Sequence, residues 1–113
     1  MSSDQRQYGL DQSVIHKIHS VLSDFPQISS ALLYGSRAKG NFRNGSDIDL
    51  TLKTDGDDSL RLLTGVMDAL DDLDLIYRFD VSLLSQIKNE SLLEHIERVG
   101  VEFYNAKMDF PAR

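Results

Sequence analysis

Apolar positions repeat along this chain with two periods, and stretches of each kind alternate. Val14, Ile15, Ile18, Val21, Leu22 and Phe25 keep helical spacing, with Asp11 or Ser13 placed to cap the helix and Pro26 to help end it. Ile28 to Tyr34 reads as a strand, and its unbroken apolar run Ala31-Leu32-Leu33-Tyr34 predicts burial on both faces. Asp47 to Lys53 alternates, with Ile48, Leu50 and Leu52 turned inward and Asp47, Asp49 and Thr51 on the other face. Leu60, Leu63, Met67 and Leu70 form a second helical stripe flanked by Leu62, Val66 and Leu73, and the acids Asp71, Asp72 and Asp74 mark where it stops. A third strand is predicted over Leu75 to Leu84, where Tyr77, Phe79, Val81 and Leu83 alternate with Arg78, Asp80 and Ser82. Ser85 to Val99 is helical by the same criterion, with Leu92, Leu93 and Ile96 apolar and Gly100 as a stop. Residues 1–9 are polar and predicted to be loose, and Asn105 to Arg113 reads as a tail carrying Met108 and Phe110. The pattern predicts an α/β fold, a small mixed sheet with helices packed against it, in one domain over residues 1–113.

Between the first two strands lies Gly35-Ser36-Arg37-Ala38-Lys39-Gly40, read as a tight turn opening a short helix. Gly35 allows the backbone to approach a ligand closely, and the free N–H groups of such a turn favour an anion such as phosphate. Ser36 serves as a helix cap, or as a cap that also offers its hydroxyl to phosphate. Arg37 and Lys39 read equally as phosphate ligands and as solvated surface charge. Asp47 and Asp49 fall two apart on one strand, so their carboxylates project side by side. Like charges this close need a cation or a proton between them, and magnesium, an oxygen-seeking ion, suits such a pair. The plain alternative is an exposed polar strand face. Asp80, between Phe79 and Val81, is either a third carboxylate at the site or a surface aspartate; Arg78 on the same face would hold it or a phosphate.

Other acid and histidine groups carry less. Asp55-Gly56-Asp57-Asp58 suits a turn and helix start. An EF-hand loop counted from Asp47 would place Leu52 where glycine belongs and Asp58 where glutamate belongs, so that reading fails. His16 and His19 sit three apart without a carboxylate or cysteine beside them, and read as solvated or rim residues. His95 reads as an ordinary surface or packing residue.

At 113 residues the chain is long enough for one domain and short for two. Its net charge of −6 argues against general nucleic-acid binding, which needs a basic surface, but leaves room for a nucleotide whose phosphates are neutralised by metal ions. With no cysteine, disulfides and thiolate metal sites are excluded. No run is long and apolar enough to span a membrane, and the polar start is unlike a signal peptide, so the expected compartment is the cytoplasm.

Gly35-Ser36, a gap of ten residues, then Asp47-Ile48-Asp49-Leu50 resembles the nucleotidyltransferase signature of the DNA polymerase β superfamily. The forms Gly-Ser-Arg-Ala-Lys-Gly and Ser-Asp-Ile-Asp-Leu are similar to those of the minimal nucleotidyltransferases, short bacterial and archaeal proteins often encoded beside a helical HEPN-type partner. The resemblance implies that Asp47, Asp49 and Asp80 are catalytic and share two Mg²⁺ ions. It also implies that Gly35 and Ser36, with Arg37 and Lys39, bind the phosphates of a nucleoside triphosphate. It supports a short last strand at Val101-Glu102-Phe103-Tyr104. Larger superfamily members carry a further domain for base and acceptor, which a chain of this length is expected to lack, so either a HEPN-type partner supplies those contacts or the chain alone binds nucleotide without efficient turnover. Some minimal members act as antitoxins that transfer AMP to a tyrosine of the HEPN toxin. The expected function is therefore Mg-dependent transfer of NMP, from ATP above all, to an acceptor hydroxyl within a hetero-oligomer. Phe103, Tyr104, Met108 and Phe110 are expected either to cover the core or to form a partner-binding patch. The reading from a different class is a non-catalytic nucleotide-binding or antitoxin subunit that works by complex formation alone.

Overall fold

A computed structural model of the chain describes residues 6–56 and 59–107. The elements are β1 (Arg6–Gln7), β2 (Leu10–Asp11), α1 (Gln12–Ser23), β3 (Ile28–Tyr34), α2 (Gly35–Lys39), β4 (Ile48–Thr54), α3 (Leu60–Asp71), β5 (Phe79–Leu83), α4 (Glu90–Val99) and β6 (Val101–Asn105). Four strands form one sheet in the order β5-β4-β3-β6. β3 runs antiparallel to both β4 and β6, whereas β4 and β5 are parallel. A parallel pair needs a crossover, and α3 supplies it.

Cross-strand partners share a face, so the register divides the side chains into two sets. Ala31 pairs with Leu52, Leu33 with Leu50, Leu50 with Val81 and Leu52 with Leu83. All are buried, and with Ile15, Ile18 and Leu22 of α1 and Leu62, Val66 and Leu70 of α3 they form the core. The opposite face carries Leu32, Tyr34, Asp49, Thr51, Asp80 and Ser82, paired Tyr34–Asp49, Leu32–Thr51, Asp49–Asp80 and Thr51–Ser82. α4 packs on this side against β3 and α2.

The mixed sheet with packed helices is the predicted architecture, and the last strand is present as β6. Several local expectations are corrected. Arg6 to Gly9, within the stretch predicted loose, form a hairpin with Leu10 and Asp11 in which Leu10 is fully buried, and its turn uses positive φ at Tyr8 and Gly9. Asp11 stands at the start of α1 but its side chain makes no cap bond; it pairs with Arg6 at 2.6 Å instead. His19, expected at the rim, is buried with Nε2 2.7 Å from the Phe103 carbonyl and its ring edge-on to Phe103. The α3 stripe is rotated from the predicted one. Leu62, Val66 and Leu70 face the core at i, i+4, i+8, while Leu60 and Met67 are 71% and 43% exposed. Ser59 caps this helix by accepting the Leu62 N–H at 3.2 Å, a contact worth about 1 kcal/mol. β5 begins at Phe79 rather than Leu75, and α4 begins at Glu90 after a 3-10 turn over Leu84–Gln86. Asp47 lies just before β4, not in it. Thr51 is fully buried rather than open to a site. Phe103 and Tyr104 are buried in the core, which rules them out of an exposed patch; Met108 and Phe110, like Asp57 and Asp58, lie outside the described residues.

Candidate active site

The C-terminal end of β3 and the N-terminal ends of β4 and β5 meet on the second face of the sheet. Asp49 of β4 lies in register between Tyr34 of β3 and Asp80 of β5. Asp49 is half-buried, Asp80 exposed, and Asp47 exposed in the approach to β4. Burial raises the Asp49 pKa to about 6, and the charges of Asp80 and Asp47 push in the same direction while Arg37 opposes them. The carboxylate is thus held in an environment short of positive charge.

The Gly-Ser turn is fitted to this carboxylate. Gly35 has φ 75°, the left-handed region that a side chain disfavours, and a Cβ built on it would collide with Asp49 Oδ2. Glycine is thus required here on two counts. Gly40, at φ 87°, ends α2, and its N–H donates to the Ser36 carbonyl at 2.9 Å. Behind the acids, Tyr34 is hydrogen-bonded to Ser82, and burial foremost raises its pKa, helped by the charges of Asp80 and Asp49. Ser82 Oγ donates to Thr51 Oγ1 at 2.9 Å, which continues this line of hydroxyls under the site.

The structure separates the two cations of the turn. Lys39 is exposed. Arg37 is 2% exposed and serves a clamp: Nη1 donates to the Tyr8 carbonyl at 2.8 Å, while Nε and Nη2 donate to the Ser46 carbonyl at 3.2 and 3.0 Å. Its guanidinium lies 5.3 Å from the Phe42 ring centre and 5.1 Å from that of Tyr77. Arg37 therefore ties the hairpin turn to the residue preceding Asp47. Arg78 forms no ion pair with Asp80; it lines a cavity with Tyr77, Phe79 and residues of α3.

Sequence reasoning gave Tyr34 and Ser82 no place at the site and read His95 as an ordinary surface or packing residue. Nε2 of His95 accepts the Gly35 N–H at 3.3 Å, across 60 residues of chain. The available signal was that His95 interrupts an apolar stripe, standing between Leu92 and Ile96 on one side of α4.

Among the described residues no three His, Cys, Asp or Glu side chains are gathered into a ready metal cage. The donor set nonetheless fits a hard divalent cation: oxygen ligands, an excess of negative charge, and exposed Asp47 and Asp80 on either side of the half-buried Asp49. Mg²⁺ commonly takes one or two carboxylates and completes its shell with water and substrate phosphates, so a finished protein cage is not required.

A mixed sheet with a Gly-Ser turn ending one strand and aspartates opening the next two defines the class as an α/β nucleotidyltransferase fold. The chain belongs to the family described as Polymerase beta, Nucleotidyltransferase, which it matches over residues 16–109. Solved structures share the fold. A toxin–antitoxin structure with AMP-PNP aligns with TM-score 0.64 and 21% identity, covering 82% of this chain and 74% of that one. A tri-AMPylated Shewanella oneidensis HEPN toxin in complex with MNT antitoxin aligns with TM-score 0.59 and 21% identity, over 83% and 71% of the chains. A putative nucleotidyltransferase from Sulfolobus solfataricus aligns with TM-score 0.55 and 19% identity, over 88% and 84%. No curated protein matches. No helix among the described residues is long and apolar enough to cross a membrane.

Proposed function

We propose that this chain is a divalent-cation-dependent nucleotidyltransferase that takes a nucleoside triphosphate, ATP above all, and moves its NMP group onto the hydroxyl of a protein partner. The observation that carries this is the placement of Asp49 against the Gly35 turn and in register with Asp80. One strand end offers a close-approach backbone for phosphate, and the adjoining strands offer the acids. Gly35 opens the turn whose Ser36 and following N–H groups, with Lys39 nearby, hold the β,γ-phosphates. Asp47 and Asp49 would hold the Mg²⁺ that accompanies the triphosphate, and Asp80 would serve the acceptor side. The acceptor hydroxyl gives up its proton to water, its oxygen forms a bond to the α-phosphorus, the bond from that phosphorus to the α,β-bridging oxygen breaks, and pyrophosphate leaves. Bound Mg²⁺ ions would neutralise charge on the attacking and leaving oxygens. The chain's own contribution is position and a fixed electrostatic environment. Arg37 has its donors turned to backbone, so its role here is to hold Asp47 in place.

Among the solved structures of this fold, one is a tri-AMPylated HEPN toxin in complex with MNT antitoxin and another is a toxin–antitoxin with AMP-PNP. These relatives support a HEPN-type helical partner and AMP transfer for this chain. The test is transfer of α-labelled ATP with this chain alone, its partner alone, and both together, with and without Mg²⁺. Label on the partner that needs both proteins and the metal is expected. Tight Mg·ATP binding or complex formation with no transfer would favour the non-catalytic antitoxin reading.

A further inference from the structure

We propose that His95 is a positioning residue that sets the phosphate turn against the Asp49 carboxylate; this rests on the nucleotidyltransferase reading above. Three contacts converge on the imidazole. Nε2 accepts the Gly35 N–H at 3.3 Å. The ring stands edge-on to Tyr34, with centres 6.2 Å apart and planes at 81°. The helix that carries it packs against both α2 and β3. Accepting at Nε2 places the ring proton at Nδ1, an assignment made from the hydrogen-bond partner.

The consequence lies in which N–H is taken. Gly35 is the hinge between β3 and α2, at φ 75°, with its Cα hydrogens against Asp49 Oδ2. A glycine at a strand end is free to adopt many conformations, and only one keeps the following N–H groups and Ser36 aimed beside the acids. His95 fixes that conformation from a separate element, α4. The Gly35 N–H is spent on the imidazole, so the phosphate donors are those that follow it. Tyr34 precedes Gly35 and packs on the same ring, so His95 grips both sides of the Tyr34–Gly35 peptide.

The test uses the full chain, assayed for transfer with its protein partner present, with His95→Leu, which removes the hydrogen-bond acceptor, and His95→Gln, which can present an acceptor oxygen near the position of Nε2. Loss of one such hydrogen bond corresponds to about tenfold in affinity. His95→Leu is expected to raise KM for Mg·ATP about tenfold with kcat changed much less, and to speed amide exchange at Gly35. His95→Gln is expected to restore most of the KM and the Gly35 protection. If the leucine variant does not fold, His95→Asn, too short to reach Gly35, takes its place. An unchanged KM in the leucine or asparagine variant overturns the proposal. A glutamine variant as impaired as the leucine one also overturns it, by reducing His95 to packing. A wild-type chain that binds no Mg·ATP removes the underlying reading and this one together. Wild-type binding with an indifferent His95 removes this one alone.

Discussion

Asp49 is held at a cost to the folded protein, and that cost can be measured. The folded-state pKa is raised from 3.8 to about 6 by burial first, then by Asp80 and Asp47. The native state therefore keeps this proton to higher pH than the unfolded chain does. Its favourable contribution is complete below the unfolded pKa and is lost as pH rises through about 6. A shift of this size corresponds to about 3 kcal/mol if fully expressed, and to about 1–2 kcal/mol after solvent screening of a half-exposed group. Asp49→Asn removes the charge and keeps the shape beside Gly35. The apo variant should therefore be more stable than wild type by about 1–2 kcal/mol at pH 8, or about 4–8 °C in Tm for a domain of this size. The difference should shrink as pH falls and vanish near pH 4. Adding Mg·ATP should raise the wild-type Tm and leave the variant unmoved, and transfer should be abolished. Thermal unfolding in chelator across pH 4–8, then with Mg·ATP, reads all three. An Asn variant that is equally or less stable at pH 8 would refute the electrostatic account, and full activity in the Asp47→Asn, Asp49→Asn double variant would refute the site.

Three further outcomes are expected. Asp80→Ala should slow single-turnover transfer by about 10²–10⁴-fold while changing triphosphate affinity far less; an unchanged rate would remove Asp80 from the site. Gly35→Ala should cost about 1–2 kcal/mol from the backbone alone and displace Asp49, seen as lost stability and lost nucleotide binding together; retention of both would contradict the close approach. Arg37→Lys keeps the charge but not the fork that serves two carbonyls, and should destabilise by about 2–4 kcal/mol. A surface phosphate ligand would lose affinity without losing stability, so denaturant unfolding separates the two roles.

The elements and the acid cluster were legible because each rests on local pattern. Alternation placed Ile48, Leu50 and Leu52 inward, and the same alternation put Asp49 and Asp80 together once the strands paired in register. What escaped depends on rotation, register or distance. The apolar residues of α3 extend round much of the helix, so period alone did not choose between the stripe through Leu63 and Met67 and the observed one through Leu62 and Val66. Thr51 and Ser82 are polar, yet they satisfy each other under the site instead of opening it. Arg37 read as a phosphate ligand or a surface cation, and not as a clamp, because its acceptors are backbone carbonyls, and a carbonyl belongs to every residue. His95 meets Gly35 only after the chain has folded across 60 residues.

The Arg37 clamp bears on where this domain begins. Its upstream anchor is the carbonyl of Tyr8, whereas the family match starts at residue 16. A recombinant fragment trimmed to the matched boundaries would keep Asp47, Asp49 and Asp80 and the whole Gly-Ser turn. It would also discard the hairpin, leave Nη1 of Arg37 without that acceptor and take Leu10 out of the core. The loop leading to Asp47 would then be braced from one side only. Family boundaries follow the side chains that relatives share, but in this chain part of the support for Asp47 is a peptide oxygen, a group that leaves no mark in the identity of the side chain at position 8.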